Sequence, residues 1–173
     1  LSYAIMDAFR WDDKVLVEKA VNAKEIECSV TGNSVTQAYE DEKENVKTYV
    51  PGEIIPSHVF YDFDAKYKDP KGAELKIPAD VSPDMLETVK TMAKKVYRAL
   101  DGAGLSRVDF FIDNDDGEKL YFNEMNSMPG FTSISMFPKM CEKEGIDFQE
   151  LLNILLGEAL LRFSAKETLV TSR

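Results

Sequence analysis

Arg107, Asp109, Glu124 and Asn126 are the residues of this chain whose types and spacing point most directly to chemistry. Val108, Phe110 and Ile112 alternate with Arg107, Asp109 and Phe111, and a second alternating run covers Leu120 to Asn126 beyond Asp113-Asn114-Asp115-Asp116-Gly117. Period two on both sides of an Asp- and Gly-rich turn predicts an antiparallel hairpin. The register in which Asp109 faces Glu124 also sets Arg107 opposite Asn126 and Phe111 opposite Phe122. Directly opposed side chains stand about 4.5–5.5 Å apart at Cβ, where like charges destabilise each other. Two carboxylates and an amide oxygen at that spacing form a hard-oxygen set that suits Mg²⁺ better than Zn²⁺. Arg107 beside them could bind an anion that the metal also touches, and Phe111 with Phe122 would lay an apolar floor for a purine nucleotide. Spacing alone leaves the plainer alternative open: solvated acidic residues on an exposed sheet face.

The stretch Asn126-Ser127-Met128-Pro129-Gly130-Phe131-Thr132-Ser133-Ile134-Ser135 follows the hairpin, dense in hydroxyls and backbone donors, just before a predicted helix. Helix N-termini and successive amides hold phosphates and developing oxyanions. A tight turn with hydroxyl caps would use the same residues. Neither a P-loop nor a G-x-G-x-x-G run is present. The single histidine, His58, has no nucleophile motif near it, so a hydrolase triad is not expected and His58 reads as structural.

Other elements must hold these residues in place. Ser82-Pro83 is an N-cap hydroxyl followed by proline at the first helical position, with Leu86, Val89, Ala93, Val96 and Leu100 at helical spacing and Gly102 as the stop. Asp147-x-x-Glu150 opens a last helix carrying Leu151, Leu152, Leu155, Ala159, Leu160 and Phe163. Ile5, Met6, Phe9 and Trp11 predict a short amphipathic helix, and Val15-Leu16-Val17 a buried strand. Glu25 to Val30 has the alternation of a half-buried strand, closed by a turn at Gly32-Asn33. The charged run Tyr39–Asn45 reads as a solvated loop or hairpin tip. Pro51 to Pro83 holds five of the seven prolines and reads as one long connection around the aromatic-rich Phe60–Tyr67, a candidate lid.

The 173 residues carry 21 Lys and Arg against 31 Asp and Glu, a net charge of −10. That balance argues against a general nucleic-acid or anionic-membrane binder, since phosphate contacts need a surplus of Lys and Arg. No apolar run reaches the roughly 18 residues of a membrane span. Cys28 and Cys141 form no C-x-x-C pair and read as core thiols of a reducing compartment, so a cytoplasmic protein is expected.

Taken together, Arg107-Val108-Asp109-Phe110-Phe111, Asn123-Glu124-Met125-Asn126 and Pro129-Gly130-Phe131-Thr132-Ser133-Ile134-Ser135 resemble the C-terminal signature of the D-alanine–D-alanine ligases, members of the ATP-grasp superfamily. Phe60–Tyr67 resembles that family's omega loop, Ile77-Pro78-Ala79-Asp80 its sequel, and Glu18-Lys19 with Glu25-Ile26-Glu27 its adenine and ribose edge. The motifs run in family order from about Val15 to Phe163.

The resemblance implies an α+β fold, the C-terminal portion of an ATP-grasp region with a mostly antiparallel sheet flanked by helices, over residues 1–163, followed by a polar tail at 164–173. It also implies ATP and two Mg²⁺ ions, with Mn²⁺ able to replace them, bound by Asp109, Glu124 and Asn126 with Glu124 bridging. The backbone near Glu18 and Val21 would meet adenine, Glu25 the ribose hydroxyls, and Phe60 and Phe111 the two ring faces. Lys66 and Tyr67 would close over phosphate and substrate. Arg107 and the Gly130 amide would stabilise an oxyanion, and Ser135 with the Met136 amide would hold the carboxylate of a second D-amino acid. The implied reaction joins two D-alanines in a homodimeric enzyme. The alternatives are a D-alanine–D-serine ligase, another ATP-grasp carboxylate–amine ligase, or a non-catalytic Mg-ATP-binding module. The family's N-terminal domain and the first half of its ATP-grasp region have no counterpart here, so the chain, which begins at Leu1 without an initiator Met, is expected to be part of something longer and incomplete for catalysis.

Overall fold

A computed structural model describes residues 1–34, 45–56, 73–116, 119–132, 134–167 and 169. In chain order these form α1 (Ser2–Ala8), β1 (Ala23–Asn33), β2 (Val46–Thr48), β3 (Gly52–Pro56), β4 (Ala73–Lys76), α2 (Pro83–Ala99), β5 (Ala103–Asp113), β6 (Leu120–Asn126), α3 (Met136–Lys143) and α4 (Phe148–Glu167). Among the described residues the strands make one sheet in the order β4-β3-β1-β5-β6, with β2 also on β1. Its pairings are antiparallel. The class is α+β, as expected.

The eleven-residue strands β1 and β5 are its spine, paired from Ala23↔Asp113 to Asn33↔Ala103. On one face Ile26, Cys28, Val30, Val108, Phe110 and Ile112 pack against Val89, Ala93 and Tyr97 of α2. That helix begins as its local code dictates: Ser82 Oγ accepts from the Met85 amide at 3.2 Å, and Pro83 follows. Its stop differs in detail from expectation. Asp101, at φ 53°, takes the left-handed position, with Asp101 N donating to Arg98 O and Gly102 N to Tyr97 O. Gly102 matters for space instead, because a Cβ there would stand 2.5 Å from the Tyr97 ring.

The half-buried alternation expected of β1 is not what forms. Glu27, Ser29, Thr31 and Asn33 are buried as well, because β1 is a central strand with helices over both faces. Buried polar side chains need partners, and each of the last three makes at least one hydrogen bond. Ser29 Oγ donates to Phe137 O at 3.1 Å, Thr31 Oγ1 meets Tyr49 Oη at 3.1 Å, and Asn33 Nδ2 donates to Glu158 O at 3.0 Å. Nor is Gly32-Asn33 a turn: both residues stay paired with β5. Gly32 adopts φ 125° where the Asn45 carbonyl leaves no room for a Cβ.

Three further expectations are corrected. Val15-Leu16-Val17 is not a buried strand; Leu16 and Val17 are exposed, since no sheet edge reaches them. The Pro51–Pro83 stretch is not one irregular connection, because β3 and β4 pair across it with Glu53 opposite Lys76 and Ile55 opposite Glu74. The far half of α4 leaves its large apolar side chains outside the core. Leu151 is buried and Leu155 partly so, but Ala159, Leu160 and Phe163 are exposed beyond Glu158, whose carbonyl meets the last residue of β1. The helix runs to Glu167. Helix α1 forms, with Tyr3 and Met6 exposed and Ile5 half-buried. His58, the Phe60–Tyr67 stretch and most of the acidic Tyr39–Asn45 run lie outside the described residues.

Candidate active site

The second face of the sheet is covered by α3 and α4 over Ser29, Thr31 and Asn33, and carries a cleft over the other end of β1. Here β1, β5 and β6 set three carboxylates in one row, because Glu27 pairs with Asp109 and Asp109 with Glu124. The next row holds Ser29, Arg107 and Asn126. The register expected around Asp109 is therefore observed.

One residue later it changes. A β-bulge between Asp109 and Phe110 makes Asn123 an extra residue in β6 and pairs Phe110 with Phe122 and Phe111 with Tyr121. The expected Phe111–Phe122 floor is thus not formed. Phe122 meets Phe110 edge-on at 6.2 Å between ring centroids, while Phe111 stays in the cleft beside Glu25, its partner on β1. The bulge brings Asn123 into the cleft lining with Glu124. No local pattern announces a bulge, so Asn123 was not legible as a lining residue.

Arg107 organises the row. Its Nε and NH2 donate to the two oxygens of Asp109 at 2.8 and 2.7 Å, a bidentate pair. Its Nε also lies 3.1 Å from Glu27 Oε1. Arg107 is 8% exposed, Asp109 9% and Glu27 4%. Burial works against the guanidinium charge, but the Asp109 hydrogen bonds and the nearby Glu27, Asp109 and Glu124 charges more than offset it and hold Arg107 firmly cationic. Glu124 is exposed at the cleft mouth. Glu27 is the main residue that sequence reasoning missed as a site member. Its alternation with Glu25 signalled the same face, but its meeting with Arg107 depends on β1 pairing with β5.

A loop leaves β6 at Asn126, whose Oδ1 accepts from the Met128 amide at 3.1 Å. Gly130 and Ser135 come together at its far end: a Cβ on Gly130 would stand 2.9 Å from Ser135 Oγ. Ser135 occupies the N-cap position of α3 without bonding the helix's first turn. Its hydroxyl instead accepts from the Thr132 amide at 3.1 Å. Met136 follows, buried against Gly52. Val21 is half-buried just before β1, at the Phe111 end of the sheet, and Asn22 O accepts from the Asn114 amide at 2.8 Å. Glu18 lies exposed in the irregular segment ahead of it. Phe60, Lys66 and Tyr67 lie outside the described residues.

The oxygen donors of Asp109, Glu124 and Asn126 fit a hard divalent cation in kind. Among the described residues, no group of three or more His, Cys, Asp or Glu side chains stands arranged around one metal position; both Asp109 oxygens are engaged by Arg107. No helix of the described residues is long and apolar enough to cross a membrane.

A family model described as "D-ala D-ala ligase C-terminus" matches residues 1–157. The chain belongs to that family. Curated proteins named D-alanine--D-alanine ligase resemble this chain closely. The one from Treponema denticola is 53% identical over 96% of this chain and 42% of its own length, and that from Caldicellulosiruptor bescii is 43% identical over 100% and 44%. The chain thus spans less than half the length of these relatives. Among solved structures, the D-alanine-D-alanine ligase from Coxiella burnetii superposes with a TM-score of 0.76 at 30% identity, over 96% of this chain and 40% of that one. The VanG D-Ala:D-Ser ligase from Enterococcus faecalis gives 0.72 at 32% identity, over 90% and 42%. The antiparallel sheet and its flanking helices are the C-terminal portion of an ATP-grasp fold.

Proposed function

We propose that this chain is the ATP- and Mg²⁺-binding C-terminal portion of a cytoplasmic, homodimeric ligase that joins two D-alanines into D-alanyl-D-alanine for peptidoglycan precursors. The observation that carries the reading is the register of β5 on β6, which sets Asp109 against Glu124 and Arg107 against Asn126 within a chain of this family. Asp109, Glu124 and Asn126 would hold two Mg²⁺ ions, or Mn²⁺ in their place, which when bound neutralise the charge of the ATP phosphates.

The remaining work falls to other residues of the chain. Glu25 accepts from the ribose hydroxyls, Phe111 and Phe60 take the adenine faces, and the backbone at Glu18 and Val21 reads the adenine edge. A carboxylate is a poor acyl donor, so the γ-phosphoryl group passes from ATP to a carboxylate oxygen of the first D-alanine, giving an acyl phosphate as ADP leaves with the electrons of the broken P–O bond. The amine of the second D-alanine attacks its carbonyl carbon, and phosphate leaves with the C–O bond electrons. Arg107 and the Gly130 amide stabilise the oxyanion of that tetrahedral intermediate. Ser135 and the Met136 amide hold the second carboxylate, and Lys66 and Tyr67 shut out water that would hydrolyse the acyl phosphate. Catalysis is mainly positioning and charge stabilisation.

The test is phosphate release by a complete ligase carrying this sequence, with D-alanine, D-serine and D-lactate offered separately. Mg²⁺-dependent release with D-alanine, with the dipeptide as product, is expected. Preference for D-serine as acceptor would move the assignment toward the D-Ala:D-Ser class to which VanG belongs. No release with any of the three would overturn it.

A further inference from the structure

The two oxygens of Asp109 that the proposed function assigns to a metal are the two that Arg107 holds, at 2.8 and 2.7 Å. A guanidinium so close opposes a divalent cation on the same carboxylate. Arg107 is nearly buried, and a buried cation that gives up one carboxylate needs another. Glu27 supplies it. It lies deeper than Asp109, is fixed on the opposite side of Arg107 by the Glu27↔Asp109 pairing of β1 with β5, and reaches Nε at 3.1 Å.

We infer that Glu27 is a positioning residue that keeps Arg107 charge-compensated and aimed into the cleft when Asp109 turns to the metal. Nε, which donates to Asp109, turns its hydrogen to Glu27 3.1 Å away, while NH2 is released from Asp109 toward the reacting substrate oxygen. Glu27 thereby decides how strongly Arg107 competes with the metal for Asp109. This rests on the reading of the site as a Mg-ATP ligase.

The experiment uses a complete ligase carrying this sequence, with Mg²⁺ binding followed by calorimetry in the presence of a non-hydrolysable ATP analogue. Glu27→Gln keeps the volume and removes the charge. It should weaken Mg²⁺ binding by about tenfold and lower kcat while leaving the KM for D-alanine unchanged. Arg107→Gln should abolish that dependence, so that adding Glu27→Gln to it changes the Mg²⁺ affinity no further. An undiminished loss in the double variant would make Glu27 act on the metal directly and overturn the inference, as would unchanged Mg²⁺ affinity in Glu27→Gln. Should Glu27→Gln fail to fold, the ¹⁵Nε resonance of Arg107 in the unmodified protein decides. It must shift as Mg²⁺ and the analogue bind, and a stationary signal overturns the proposal. Absence of Mg²⁺ binding in the unmodified protein would overturn the ligase reading and this inference together.

Discussion

Asp109 and Glu124 face each other directly across β5 and β6, yet they occupy unlike environments. Asp109 is buried and bound through both oxygens by Arg107, whereas Glu124 stands exposed at the cleft mouth. Two carboxylates that look equivalent in the sequence therefore have different structural duties.

Glu124→Gln in the complete enzyme should abolish ligation while shifting stability by no more than about 0.5 kcal/mol, as for an exposed side chain. Phosphate release and a denaturant midpoint measure the two effects. Retention of unmodified kcat would sink the metal assignment.

Asp109→Asn should abolish ligation and destabilise the fold as well. It leaves buried Arg107 with Glu27 alone and removes a charge-assisted bidentate contact, a loss of about 1.5–3 kcal/mol. A denaturant midpoint equal to that of Glu124→Gln would show that the Arg107–Asp109 pair contributes nothing net to stability.

Asp101 and Gly102, adjacent at the end of α2, should respond in opposite directions. Asp101→Gly relieves a left-handed backbone at φ 53° and should stabilise by a few tenths to about 1 kcal/mol, the strain relieved exceeding glycine's entropic cost. Gly102→Ala drives a methyl into the Tyr97 ring and should cost about 1–3 kcal/mol. Thermal unfolding of the two variants checks both signs.

Burial pushes the Cys28 and Cys141 thiols up to about 12. Both should resist thiol reagents at pH 8 in the native state and react on denaturation, as absorbance-monitored thiol titration would show. Because their folded values lie above the unfolded ones, they support the fold below about pH 8.5. That support is lost as the pH climbs from there through 12. Replacing either by Ser should flatten the alkaline limb of the stability curve.

What was legible in the sequence was local. The N-cap and proline of α2, the Asp147 cap of α4, whose Oδ1 accepts from the Glu150 amide, and the period-two runs of β5 and β6 each depend on residues a few positions apart. The expected Asp109–Glu124 pairing is observed, although the pairs nearer the turn run one residue out of that register across the bulge. The residues of the candidate donor set could be named for the same reason, since Arg107, Asp109, Glu124 and Asn126 sit on one hairpin.

Tertiary structure decided everything that depends on a distant partner. Only the pairing of β1 with β5 brings Glu27 to Arg107, 80 positions apart in the chain, a separation that no local pattern encodes. Only the sheet's layering buries both faces of β1, pairs short proline-flanked β3 with β4, and leaves Leu16 and the far half of α4 exposed. The Asp109/Phe110 bulge that separates Phe111 from Phe122 is likewise visible only in the paired strands. Hydrogen-bond periodicity and capping act within a few residues, so the sequence alone determines them. Burial and charge compensation are properties of neighbours in space, and only the assembled sheet supplies those neighbours.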